Sequence, residues 1–207
     1  GARAAVKAFN GDFSMSSAGT VIFLHGLESG PDGFKIQQMR ATAESMGWQT
    51  MAPDGRFSRD PVQRGEAVLT QWPWLADRVY LVGSSLGGYV AAWVAARLAK
   101  EIYTKPTNQA QSVSQKPASV NGMLLLCPAF DLPGYPLDRP EQALPGELIQ
   151  LIHGRADTVV PLSHSQRAAH AWGADLAEVE DDHSLHNSIA FICEVLAQRL
   201  ACAAIAV

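Results

Sequence analysis

Val79-Tyr80-Leu81-Val82-Gly83-Ser84-Ser85-Leu86-Gly87-Gly88-Tyr89-Val90 is the stretch that decides the fold. Its first part, Arg78 to Gly83, is a short run of β-branched and large apolar residues, the pattern of a strand buried on both faces. Leu86 to Lys100 follows at once, Ala-rich and carrying Tyr89, Val90, Trp93, Val94 and Leu98 for packing, which predicts a helix. Between them, Gly83-Ser84-Ser85-Leu86-Gly87 fits G-x-S-x-G with Ser85 at its centre. Glycines two before and two after the serine relieve the crowding of a sharp strand-to-helix turn, and such a turn projects the hydroxyl into a cleft. The plainer reading of Ser85 is a helix cap in a tight turn.

The same alternation extends outward in both directions. Thr20–His25, TVIFLH, predicts a buried strand, and Gly33–Met46 a helix ended by Gly47. Trp48–Ala52 reads as a second strand turned by Pro53-Asp54-Gly55, and Val62–Leu69 as a helix that Pro73 interrupts if it continues to Leu75. Beyond the central pair, residues 104–119 are polar and Gln/Ser-rich, the composition of a surface loop. Gly122–Cys127 and Glu147–His153 read as buried strands, and Ala174–Val179 as the last. Ser163 and Ser184 are placed to cap the two remaining helices. Strands that alternate with helices imply right-handed crossovers and a mostly parallel sheet covered on both faces, with ligands beyond the carboxyl ends of its strands. Residues 1–19 read as an N-terminal extension, with Met15 a possible start, and residues 20–207 as a single domain.

A serine hydroxyl needs a base to take its proton and a third group to orient that base. Asp157, in His153-Gly154-Arg155-Ala156-Asp157, supplies a carboxylate in the loop after a late strand. Glu180-Asp181-Asp182-His183-Ser184-Leu185-His186 supplies two histidines after the last strand. His183 is favoured, because it precedes the cap at Ser184, whereas His186 falls about two positions into the helix, rotated by roughly 200° at 100° per residue. His186 stays open as the base if His183 merely pairs with Asp181 or Asp182. His164 and His170 are expected to face solvent, and His25 and His153 to be hydrogen-bonded structural residues at strand ends. The backbone N–H of Leu86, at the positive end of its helix, and that of Leu27, in the loop after the first strand, are the candidate donors to an oxyanion.

VIFLHGLESGPDGFK, VYLVGSSLGGYVAA, IHGRADTVVP and EDDHSL together resemble the oxyanion, nucleophile, acid and histidine motifs of the α/β-hydrolase superfamily, in that order. Within it the chain is similar to the small, lidless bacterial esterases and uncharacterised serine hydrolases with an H-G-x-x-S-x-P loop. The resemblance runs from about Thr20 to Leu200. It implies an α/β-hydrolase fold without a substantial cap domain, and a serine hydrolase acting on small carboxylic esters or thioesters through Ser85, His183 and Asp157. Amide or carbon–carbon bond cleavage on the same groups, and a ligand-binding or signalling protein that keeps the fold without turnover, are the alternatives. In two respects the sequence departs from the family: the polar loop at 104–119 is longer than expected, and Glu180 and Asp181 stand where glycines are common before the histidine.

Composition narrows the partners. With 47% hydrophobic and 17% charged residues, the 207-residue chain has the make-up of a globular domain. A net charge of −4 offers no electrostatic footprint for nucleic acid. Cys127, Cys193 and Cys202 have neither disulfide nor zinc-ligand spacing, which favours a reducing cytoplasm and implies no metal. No organic cofactor motif is present, and no feature specifies an oligomer. Ile189–Val207 is interrupted by Glu194, Gln198 and Arg199 and reads as an amphipathic C-terminal helix rather than a membrane span.

Overall fold

In the computed structural model, residues 17–73, 76–100, 119–133 and 138–205 are described. Six strands form one sheet in the order β2-β1-β3-β4-β5-β6, every neighbouring pair parallel. They are β1 (Thr20–Leu24), β2 (Gln49–Met51), β3 (Arg78–Ser84), β4 (Ser119–Leu126), β5 (Ile149–Gly154) and β6 (Asp175–Val179). Among the described residues, five helices cover the sheet: α1 (Phe34–Ser45), α2 (Pro61–Thr70), α3 (Leu86–Lys100), α4 (Leu162–Trp172) and α5 (Ile189–Ile205). Alternate strand residues feed two separate cores. Val21, Phe23, Tyr80, Val82, Leu124 and Leu126 pack with α1 and α5. Ile22, Leu24, Val79, Leu81, Met123 and Leu125 pack with α2, α3 and α4. Strands sandwiched in this way can be apolar at every position, which is why they lack the alternation of a half-exposed sheet.

Several boundaries differ from the sequence reading. Ser119, Val120 and Asn121, expected to lie outside a strand, open β4: Ser119 and Val120 pair with Arg78 and Val79, and Asn121 is passed over at a register shift before Gly122 pairs with Tyr80; the rest of the polar segment, 104–118, lies outside the described residues. Glu147 and Leu148 belong to a 3-10 turn before β5. Ser163 caps nothing, since α4 starts one residue earlier behind Pro161. Of the N-terminal segment, residues 1–16 lie outside the described residues, while Gly19 accepts a hydrogen bond from Gln49 N and Ala18 donates to Gly47 O, joining both to the domain. Among the described residues, those between β4 and β5 contain only a 3-10 turn and no cap domain. His186–Ile205 is long and apolar enough, by length and composition, to cross a membrane. Its Ile192, Leu196, Leu200 and Ala203 are nonetheless built into the core, and Arg199 bonds Asp175 and Gln150.

Backbone packing at the end of β3 is tight. A methyl group on Gly83 would collide with the Gly87 carbonyl, and one on Gly87 with the Leu24 carbonyl; one on Gly88 would meet Pro128 Cβ at 2.8 Å. Neighbouring strand and helix backbones therefore come together only because these positions lack side chains. Gly87→Ala should lower unfolding free energy by at least about 3 kcal/mol. Gly47→Ala, at φ +84° with open space around it, should cost only about 1–2 kcal/mol of backbone strain. Urea titrations of the two variants check the contrast.

Two strand-end histidines are buried as expected. His25 Nδ1 donates to Gly26 O at 2.7 Å while its Nε2 accepts from Gly55 N at 2.8 Å. His153 Nε2 donates to Val160 O at 2.8 Å, and its Nδ1 accepts from Ser165 Oγ at 2.7 Å. Burial lowers the pKa of both below the ordinary histidine value. The unfolded chain takes up protons below about pH 6.5 that the native rings refuse, so stability should fall as pH drops from about 6.5 to 5. His153→Gln should flatten that dependence; a slope unchanged by the substitution in urea titrations at several pH values would contradict it.

Candidate active site

Ser85 sits between β3 and α3 with φ +54°, a left-handed conformation that costs a non-glycine residue energy. Its backbone is held on both sides. Ser85 N donates to Leu126 O at 2.9 Å, and its carbonyl accepts from Gly88 N at 3.0 Å and Ala129 N at 2.9 Å. The end of β4 thus grips the turn and aims the side chain at the loop after β6. There His183 Nε2 lies 3.0 Å from Ser85 Oγ, and His183 Nδ1 lies 2.7 Å from Asp157 Oδ2. Only the tautomer with its proton on Nδ1 satisfies the carboxylate and leaves a lone pair for the serine hydroxyl.

The Asp157 side chain is fully buried, yet its pKa is lowered. Burial opposes ionisation, but hydrogen bonds from His183 and from the N–H groups of Val160 and Val159 outweigh it. Both backbone bonds reach Oδ1 at 2.8 Å. The loops carrying Asp157 and His183 are joined directly: Arg155 N donates to Val179 O and Ala156 N to Asp181 O, and Gly154 leaves room for the Asp181 carbonyl. Asp181 is buried and accepts from Asp182 N and Ser188 Oγ, each at 2.8 Å. Asp181 therefore anchors the histidine loop to the turn that precedes α5.

His183 and His186 are both at the cleft, contrary to the expectation that helical rotation turns His186 away. Ser184 does not cap α5. Instead Leu185 takes φ +56° and is buried, His186–Ser188 form a 3-10 turn, and α5 starts only at Ile189. The His186 ring packs edge-on against Phe34, with centroids 5.8 Å apart, while His183 alone bonds both Ser85 and Asp157. His164 is half-buried and donates from Nδ1 to Phe130 O at 2.7 Å, so the solvent-facing expectation fails for it. His170 is exposed as expected.

A cleft of about 430 Å³ opens over Ser85 and His183 and is walled by Leu27, Lys35, Leu132 and Val159. Leu27 lies in the loop after β1 and Leu86 begins α3; among the described residues neither backbone N–H is taken by another group. Lys35 carries no distinguishing pattern in the sequence, but from α1 its Nζ donates to Ser184 O at 2.8 Å and ties the histidine loop down. Burial lowers its pKa, against the opposing pull of Cys127, Asp181 and Asp182. Cys127 Sγ lies within 4.8 Å of ligand atoms of Asp157 and His183, and burial pushes its thiol up to about 12. As a metal site this set fits poorly, because the carboxylate already accepts three hydrogen bonds, one of them from His183.

The model of the uncharacterised protein family UPF0227 matches residues 20–112. No curated protein matches the chain in sequence. Among solved structures, a candidate hydrolase of the α/β superfamily from Xanthomonas campestris pv. campestris is 26% identical, with 90% of this chain and 99% of that chain covered and a TM-score of 0.69. Est1E from Butyrivibrio proteoclasticus is 14% identical over 90% of this chain and 88% of that one, with a TM-score of 0.68. Mouse alpha/beta hydrolase domain-containing protein 10 is 16% identical over 88% and 89%, with a TM-score of 0.65. A parallel sheet wound in this order, a glycine-lined turn presenting Ser85, and whole-length likeness to these structures agree: the chain is a member of the α/β-hydrolase superfamily.

Proposed function

We propose that the protein is a serine hydrolase that cleaves small carboxylic esters or thioesters through an acyl-enzyme. The observation that carries this reading is the unbroken hydrogen-bonded chain from Ser85 through His183 to Asp157. Ser85 Oγ attacks the carbonyl carbon as its proton passes to His183 Nε2, and the Asp157 carboxylate stabilises the imidazolium that forms. The N–H groups of Leu27 and Leu86 stabilise the oxyanion. Collapse of the tetrahedral species breaks the bond to the leaving alkoxide or thiolate, which takes the proton from His183 and leaves Ser85 acylated. Water then attacks the acyl group, gives a proton to His183, and releases the acid as that proton returns to Ser85. Free Cys127, Cys193 and Cys202 suit a reducing compartment, and we assign the protein to the cytoplasm.

Ser85→Ala should lower ester turnover by up to roughly a millionfold with the fold intact, whereas Ser84→Ala should be mild. A fluorophosphonate should label the wild type at Ser85 alone. A folded protein that resists labelling would instead be a binding member of the fold, and amide or carbon–carbon substrates turned over faster than esters would reassign the bond cleaved.

His183→Ala should remove nearly all activity and His186→Ala little, because only His183 touches both partners. An inactive but folded His186→Ala variant beside an active His183→Ala would transfer the base to His186.

Acyl preference should be short. Each methylene adds about 0.8 kcal/mol only where it is buried, and among the described residues no cap extends the apolar wall. Across a p-nitrophenyl ester series, kcat/KM should rise over the first carbons and then flatten; a steady climb to long chains would contradict an open cleft.

A further inference from the structure

The buried ring of His153 meets the candidate acid in two ways that an ordinary strand-end histidine would not. Its Nε2–H donates to the carbonyl of Val160 at 2.8 Å, and the N–H of that same residue donates to Asp157 Oδ1 at 2.8 Å. The same Nε2 also stands 3.1 Å from Asp157 Oδ2, the oxygen that receives His183 Nδ1 at 2.7 Å. Both neighbours of Nε2 can only accept, so the ring proton must reside there. Nδ1 is then a lone pair, and the Ser165 hydroxyl, 2.7 Å away and fully buried on α4, must donate to it. Tautomer and ring orientation are thereby set from opposite sides by β5, the acid loop and α4.

We propose that His153, oriented by Ser165, is a positioning residue that holds Asp157 in register with His183 and faces its shared oxygen with an N–H dipole. This rests on the reading of Asp157 as the group that orients the base. Burial favours the neutral form of His153, the form that the hydrogen bonds require. The titratable groups around the pair are Cys127 from the end of β4, His183 from the loop after β6, and Lys35 from α1 beyond Ser184. With the dipole removed, the carboxylate becomes a stronger acceptor for the His183 proton, and the Val160 carbonyl, whose own N–H bonds Asp157, loses its partner.

His153→Leu should lower kcat by about tenfold to a hundredfold, the scale of a misplaced catalytic group, with little change in KM. The acid limb of the kcat/KM profile should move to higher pH. His153→Gln, which can place an N–H near the former Nε2, should restore most of kcat and of the pH limb. Ser165→Ala should show a smaller change in the same direction, and it serves as the test should the leucine variant not fold. In an Asp157→Asn background the histidine substitution should cost almost nothing more, because its effect runs through the carboxylate. The proposal is overturned if folded His153→Leu, or failing that Ser165→Ala, keeps wild-type kcat and pH limb, or if the loss in kcat is equally large with and without Asp157. The rate at which a fluorophosphonate labels Ser85 can replace turnover throughout. Unchanged ester turnover in Ser85→Ala would defeat the underlying reading by itself, separately from any result at His153.

Discussion

Close approach of backbone to backbone at the carboxyl end of β3 is the constraint from which the rest of the site follows. The Gly83 and Gly87 positions bring β3, α3 and the end of β1 into contact distances that any side chain would prevent. Ser85 is held between them in a left-handed conformation by hydrogen bonds to Leu126, Gly88 and Ala129. Strain of this kind persists only where the surroundings over-determine it. Here the surroundings are the two central strands of a sheet buried on both faces, so the serine is fixed by the middle of the core.

The groups that face Ser85 come from less regular structure and are made precise in another way. Asp157 and His183 lie on successive loops that are joined backbone to backbone across Gly154, then clamped from outside by Lys35 on Ser184 and by Ser188 on Asp181. A fully buried carboxylate would ordinarily be driven toward its neutral form. Two backbone N–H groups and the His183 ring reverse that preference, so the charge needed beside an imidazolium is present before any ligand binds. This is electrostatic preorganisation achieved with backbone dipoles and one histidine, around a carboxylate with no exposed surface.

Legibility followed the range over which each feature is specified. Helix α3 was readable to the residue because its start is dictated by the adjacent turn. Ser85 was readable because strand, glycine spacing and helix are contiguous. Asp157 and His183 could be proposed from chain order alone, yet the choice between His183 and His186 was argued from a helical rotation that does not exist. Leu185 is drawn into the core and forced to positive φ, which breaks the helical phase just where the argument needed it. Ser184 failed as a cap for the same reason: local cap preference is worth about 1 kcal/mol, less than the burial of one large apolar side chain, here Leu185.

By itself, the sequence determined the class of fold, the order of its elements, the turn that presents Ser85 and the loops that carry Asp157 and His183, because each of these is written in neighbouring residues through periodicity and turn chemistry. Tertiary structure alone decided which histidine meets the serine, that Lys35 holds the histidine loop 149 residues away in sequence, and that His153 and Ser165 stand behind Asp157. Those contacts depend on distances of about 3 Å between elements remote in the chain, set by how helices settle on a twisted sheet. No local pattern encodes such distances, since the same residues at the same spacing would serve equally well as surface polar groups.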